Sequence, residues 1–204
     1  MSSSPDPARE RVATQFFQDT ISGLQSALSK LDAGHLEAVV RLAADVQDAW
    51  NAGGQLLVCG NGGSASDSQH IVAELVGRFQ VDRPGYRAQS LTPNSSILTA
   101  VGNDYGFDHI FSRQVEALGR TGDVLLVITT SGNSDNCILA AEAARNLGLK
   151  VHGFLGGNGG KLLGMVDSAF LAPADFTPRI QEIHIAMGHL LCQILEEWMN
   201  GARC

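Results

Sequence analysis

His70 and Glu74 stand four residues apart. On a helix that spacing projects both side chains from one face, where an imidazole and a carboxylate could work as an acid/base pair or as two ligands of a metal clip. A bare pattern of this kind is more often a solvated helix face. Its position raises its value, because one to three turns earlier the chain reads Cys59-Gly60-Asn61-Gly62-Gly63-Ser64-Ala65. Glycines and small polar residues leading directly into a helix expose backbone N–H groups and make an anion site. A second run, Thr129-Thr130-Ser131-Gly132-Asn133-Ser134-Asp135, brings four hydroxyls to another helix start and suits a phosphate monoester. An N-cap at Ser134 or Asp135 would account for one hydroxyl and leave three. Gly60, Gly62 and Ala65 also fit a dinucleotide pattern, but the second strand ends in Thr92-Pro93 without the acid that would hold a ribose. No Walker lysine follows either loop, so no nucleotide cofactor is expected.

Near the end of the chain, Gln181, His184 and His189 interrupt an apolar helical face of Ile180, Ile183, Met187, Leu190, Leu191 and Ile194. A lone histidine on such a face is more often hydrogen-bonded structure, which is the reading for His184. Gln181 and His189 point within about 80° of each other but lie roughly 12 Å apart along a helix axis. To meet at one ion they must stretch towards each other, or come from helices of different subunits.

The elements that must position these groups follow from periodicity. Val12, Phe16, Phe17, Ile21, Leu24 and Leu28 give a leading amphipathic helix over Pro7–Leu28, of a kind that often packs on a partner. A second stripe runs from Leu36 to Trp50 and stops at Gly53-Gly54. Short apolar runs then begin, at Gln55–Cys59, Ala88–Leu91, Val124–Thr129, Val151–Leu155 and Ser168–Leu171. They alternate with helical stretches over Ala65–Phe79, Ser95–Val101, Phe107–Leu118, Asp135–Leu147 and about Pro178–Met199. This predicts an α/β fold, a doubly wound five-stranded parallel sheet with an added N-terminal helix, and one domain over residues 1–204 with 1–34 used in oligomer packing. Ligands of such sheets bind at the carboxyl ends of the strands, which is where both loops fall.

The composition sets outer bounds. With 44% hydrophobic and 17% charged residues, the chain can build a core without staples, which excludes disorder and a disulfide scaffold. A net charge of -7 with no basic run argues against nucleic-acid binding. Cys59, Cys137, Cys192 and Cys204 lack CxxC spacing and suit reduced thiols in a cytoplasm. No secretory signal or membrane span is expected.

The two loops together resemble the sugar isomerase (SIS) domain. Four further segments, Gln69–Leu75, Arg83–Tyr86, Val101–Asp104 and Arg179–His184, narrow the resemblance to its phosphoheptose isomerase branch. The resemblance implies isomerisation of sedoheptulose 7-phosphate to glycero-manno-heptose 7-phosphate for bacterial envelope polysaccharide. It implies a zinc ligand set of His70, Glu74, Gln181 and His189, with Glu74 as base and His189 as acid. It places sugar contacts at Asn61, Gly62, Gly63, Asn103 and Asp104, with Glu74 and Gln181 also at the substrate. Phosphate contacts fall at Ser64, Thr129, Thr130, Ser131 and Ser134, in a homotetramer whose active sites straddle subunits. The rival is a non-catalytic SIS module, either a replication adaptor or a sugar-phosphate sensor; adaptors of that kind lack the Glu and the second His.

Overall fold

The computed structural model describes residues 6–201; residues 1–5 and 202–204, with Cys204 among them, lie outside. Helix α1 (Pro7–Leu28) opens with Asp6 accepting from the Ala8 N–H and Pro7 in the first turn, where its missing N–H costs nothing. Helix α2 (Ala33–Asn51) starts in a capping box between Asp32 and His35 and buries Val39, Leu42, Ala43, Val46 and Ala49. After it come β1 (Leu56–Gly60), α3 (Gly63–Val76), β2 (Ala88–Ser90) and α4 (Ser95–Tyr105). The chain continues through α5 (Ser112–Leu118), β3 (Val124–Thr129), α6 (Asp135–Asn146), β4 (Lys150–Gly156), β5 (Ser168–Ala172) and α7 (Thr177–Gly201).

The five strands are all parallel, in the order β2-β1-β3-β4-β5. Alternation along each strand divides the core between the two faces. Leu56, Val58, Leu126, Phe154 and Phe170 meet α2, α3 and α7, while Leu57, Cys59, Leu125, Val127 and Leu155 meet α5 and α6. Each such large side chain, fully buried, contributes about 1.5–3 kcal/mol. From β1 the chain passes to β2 on one side, and β3 pairs on the other, so the strand order reverses between β1 and β3. Crevices of doubly wound sheets open at that point, and the loops that follow β1 and β3 both rise beside it.

Three expected helices differ from the structure. The one read as Ser95–Val101 runs on to Tyr105. The stretch read as helical to Phe79 ends at Val76, where Gly77 leaves helical geometry. The stretch from Phe107 to Leu118 is broken into a 3-10 turn at Phe107–His109 and then α5. Between the two pieces Ile110 and Phe111 are drawn into the core. Helix α1 buries only Ala27 and leaves Val12, Phe16, Phe17 and Ile21 between 41% and 68% exposed. It is tied to α7 by Arg179, whose Nη1 donates to the Thr20 carbonyl at 2.8 Å. Among the described residues no helix is long and apolar enough to cross a membrane.

Candidate active site

The first loop turns through Gly62 at φ +57, a conformation that favours glycine, and the chain enters α3 at Gly63. In the first turn the Ser64 N–H donates to the Asn61 carbonyl and the Ala65 and Ser66 N–H groups to that of Gly62, and no side chain caps the helix. Asn61 is fixed from across the sheet edge: its Nδ2 donates to Asn136 Oδ1 at 2.8 Å, and Asn136 Nδ2 donates back to Asn61 Oδ1 at 3.0 Å. Ser64 is buried in the turn below.

The second loop likewise leads straight into a helix. Ser134 occupies the N-cap of α6 but makes no side-chain cap hydrogen bond. Its hydroxyl instead lies 3.5 Å from the Thr129 hydroxyl, and Thr129 Oγ1 accepts from the Ser131 N–H at 3.4 Å. Ser131 Oγ accepts from the Asn133 N–H at 3.2 Å. These long bonds leave acceptor and donor capacity over, at a helix N-terminus whose dipole favours an anion. Gly132, at φ +65, lets the loop lie directly against the Gly159 carbonyl, where any Cβ would collide. The loop after β4 thereby supports it, with the Leu162 N–H donating to the Gly132 carbonyl and the Lys161 N–H to Asn133 Oδ1.

Two turns along α3 the acid/base candidates gather. His70 Nε2 lies 3.2 Å from Glu74 Oε1 and 3.3 Å from His189 Nε2 on α7. The two imidazoles meet edge to face with centroids 4.9 Å apart, and Phe79 stacks on the far side of His189 at 5.9 Å. Helices α3 and α7 run side by side in the same direction, with Gly63 facing Gln181, Ile71 facing Gly188 and Gln80 bonded to Glu196. That pairing brings His189 to His70 and Glu74 and carries Gln181 away from them. The Gln181 amide lies directly over Gly63, level with the first loop.

Among the described residues no three His, Cys, Asp or Glu side chains form a ready-made metal cage. The donor chemistry of His70, Glu74 and His189 still suits zinc. Bonds of ~2.0–2.1 Å in a tetrahedron put neighbouring ligand atoms about 3.3 Å apart, and the two separations from His70 Nε2, 3.2 and 3.3 Å, are of that size. Two facing imidazole nitrogens can share one proton or lend both lone pairs to one cation.

Asn103 and Asp104 end α4, are exposed, and hydrogen-bond to each other at 2.8 Å. Helix α4 has no buried residue and packs chiefly on the 107–109 turn, and neither side chain is hydrogen-bonded to His70, Glu74 or His189. Two site residues escaped the sequence reading. Asn136, buried, couples the two loops. Asp67, on α3 before His70, has a buried oxygen without a partner; burial pushes its carboxyl up to about 6, against the pull of His70. An acid one turn ahead of His70 was the available signal for Asp67; nothing in the pattern pointed to Asn136. His184, fully buried with its Nε2 donating to the Leu155 carbonyl at 3.1 Å, is structural.

Residues 16–156 match the family described as the SIS domain. The chain is 44% identical over 190 residues to the phosphoheptose isomerase of Akkermansia muciniphila, a match covering 92% of this chain and 99% of that one. It belongs to the phosphoheptose isomerase family of SIS domains. Solved phosphoheptose isomerases superpose closely. The one from Neisseria gonorrhoeae gives a TM-score of 0.80 at 42% identity, covering 93% of this chain and 99% of that chain. The one from Francisella tularensis gives 0.83 at 37% identity, covering 94% and 100%. The SIS match stops at β4, but the full-length matches of this phosphoheptose isomerase family reach into α7, the helix of Gln181 and His189.

Proposed function

We propose that the chain interconverts sedoheptulose 7-phosphate and D-glycero-D-manno-heptose 7-phosphate through an enediol, in the cytoplasm, supplying heptose for a bacterial envelope polysaccharide. The observation that carries this reading is the Glu74–His70–His189 cluster, standing two turns beyond a glycine anion loop in a chain of this family. Phosphate would take the hydroxyls and amides of residues 129–134 at the start of α6, while the sugar lies over residues 61–63 towards α3. Glu74 removes the C1 proton of the ketose as His189 delivers a proton to O2, giving the enediol. Return of a proton to C2, with loss of the O1 proton, completes the aldose. His70 orients both partners, since its Nε2 reaches each.

His70, Glu74 and His189 would hold zinc, with Gln181 as a fourth donor only if it is supplied from elsewhere than its place over Gly63. When bound, zinc supplies Lewis-acid polarisation of the sugar oxygens. The active molecule is a homotetramer with sites at subunit interfaces. The exposed apolar stripe of α1, the lack of a hydrogen bond from Asn103 or Asp104 to the cluster and the place of Gln181 over Gly63 support that assembly.

Purified protein given sedoheptulose 7-phosphate should yield the aldose heptose phosphate, followed by coupled phosphorylation or by chromatography. No product from folded, zinc-supplemented protein would return the chain to the adaptor or sensor reading. Dialysis against a chelator with elemental analysis tests the metal: full activity in zinc-free enzyme would remove it from the reaction.

A further inference from the structure

The segment between α3 and β2 carries a buried guanidinium that the chemistry above leaves unused. The Arg83 side chain is 1% exposed. Its Nη2 donates to the carbonyl of Glu74 at 2.9 Å, its Nη1 to the carbonyl of Leu75 at 2.9 Å, and its Nε to Glu196 Oε1 on α7 at 2.9 Å. The Tyr86 ring covers the guanidinium at 3.9 Å and itself stacks on Trp50 of α2.

The last carbonyls of a helix have no intrahelical donors, and a cation at that end suits the helix dipole. A water or a lysine would meet either need. The planar fork does more, because it fixes direction at two carbonyls and a carboxylate together. Glu196 is held just as firmly, accepting from the N–H groups of Phe79, Gln80 and Val81 at 3.3, 2.9 and 3.3 Å. It lies seven residues after His189, so both project from nearly the same side of α7. One side chain therefore grips the backbone of Glu74 and is itself gripped by the helix that carries His189. A buried ion pair adds little net stability over an apolar plug of the same volume, so its worth here lies in geometry.

We infer that Arg83 is a positioning residue: through Glu196 it fixes the last turn of α3 against α7, and so sets the Glu74 carboxylate relative to the His189 ring. The roles of Glu74 and His189 rest on the isomerase reading; the mechanical link between the helices does not.

Arg83→Lys retains the charge and can satisfy one carbonyl, but loses the fork. Misplacement of reacting groups by about 1 Å can cost on the order of 100-fold. The expected result is a kcat lower by about ten- to hundred-fold with KM changed less than about twofold, because Arg83 bonds neither to the loop that opens α3 nor to the hydroxyl loop at the start of α6. Parent kcat in folded Arg83→Lys, with only its melting temperature reduced, would overturn the inference. Should that variant fail to fold, Glu196→Gln keeps shape and an acceptor and should still lose kcat by at least about threefold at constant KM; parent kcat there is equally fatal. Amide hydrogen exchange gives an arm independent of substrate. In either variant residues 72–81 should exchange about tenfold faster while 63–68 keep the parent rate. Unchanged exchange at 72–81 overturns the link. An inactive parent showing the expected exchange pattern would overturn the substrate reading and leave the link standing.

Discussion

Glu74→Gln keeps the shape and hydrogen-bonding capacity of the side chain while removing its basicity. Turnover is expected to fall by at least about 100-fold, the lower worth of general base catalysis, with circular dichroism unchanged. His189→Gln should behave alike, and near-parent kcat in either would take proton transfer away from that residue. His184 makes a different kind of prediction. Burial drives its imidazole down to about 4, with the hydrogen bond to the Leu155 carbonyl opposing, so it is neutral in the fold at pH 6. The unfolded chain takes up that proton near the ordinary histidine value of 6.5. Stability contributed by the neutral ring is therefore complete above about pH 6.5 and is lost as pH falls towards about 4, by up to about 3 kcal/mol. Urea unfolding of His184→Gln, which can still donate to Leu155, should show a shallower loss across that window. Equal slopes for parent and variant would rule out His184 as the source.

In the proposed function the hydroxyl loop and α6 act together as one phosphate holder, remote from the carbons that react. Removing hydroxyls with Ser131→Ala and Ser134→Ala together should raise KM by about tenfold or more and leave kcat closer to the parent, as expected for contacts present in both ground and transition states. A parent-like KM would place the phosphate elsewhere. Helices and strands whose signals are local were legible in the sequence: α1 and β3 have the very bounds that periodicity indicates, because Pro7 and a continuous apolar run mark them. The break between His109 and Ser112 was missed, since Phe107, Phe111 and Val115 keep an apolar four-residue spacing although the chain passes there from a 3-10 turn into α5. The pair His70 and Glu74 could be read from their spacing. The meeting of His70 with His189 could not, because amphipathicity tells which face of a helix is apolar and says nothing of which neighbour 119 residues away will cover it. The same ignorance of partners hid Asn136 and Arg83.

For the assembled enzyme, the unburied stripe of α1 and the unburied α4 set the expectation. Light scattering should give the mass of four chains, with two-fold axes relating them, and a monomeric mass would sink the shared site. Subunit mixing then separates what each chain supplies. Glu74 and His189 both reach the same His70 nitrogen within one chain, so mixing Glu74→Gln with His189→Gln chains should restore nothing. If Asp104 serves a neighbour's site, mixing Glu74→Gln with Asp104→Ala should restore up to about a quarter of parent activity, the share of sites that random pairing leaves intact. No recovery after verified exchange would place Asp104 at its own chain's site, or outside any site.

The helix that completes the cluster is laid against one that began more than a hundred residues earlier in the chain. Proteins emerge from the ribosome N-terminus first and tend to fold as they emerge. A nascent chain released before α7 would own both anion loops, Glu74 and His70, but no His189. Such a fragment would also lack Ile180, Ile183, Leu191 and Leu195, which α7 buries in the core of one sheet face. With His189 as the proposed acid, chemical competence waits for α7, and a stop ahead of residue 189 is expected to yield a silent product.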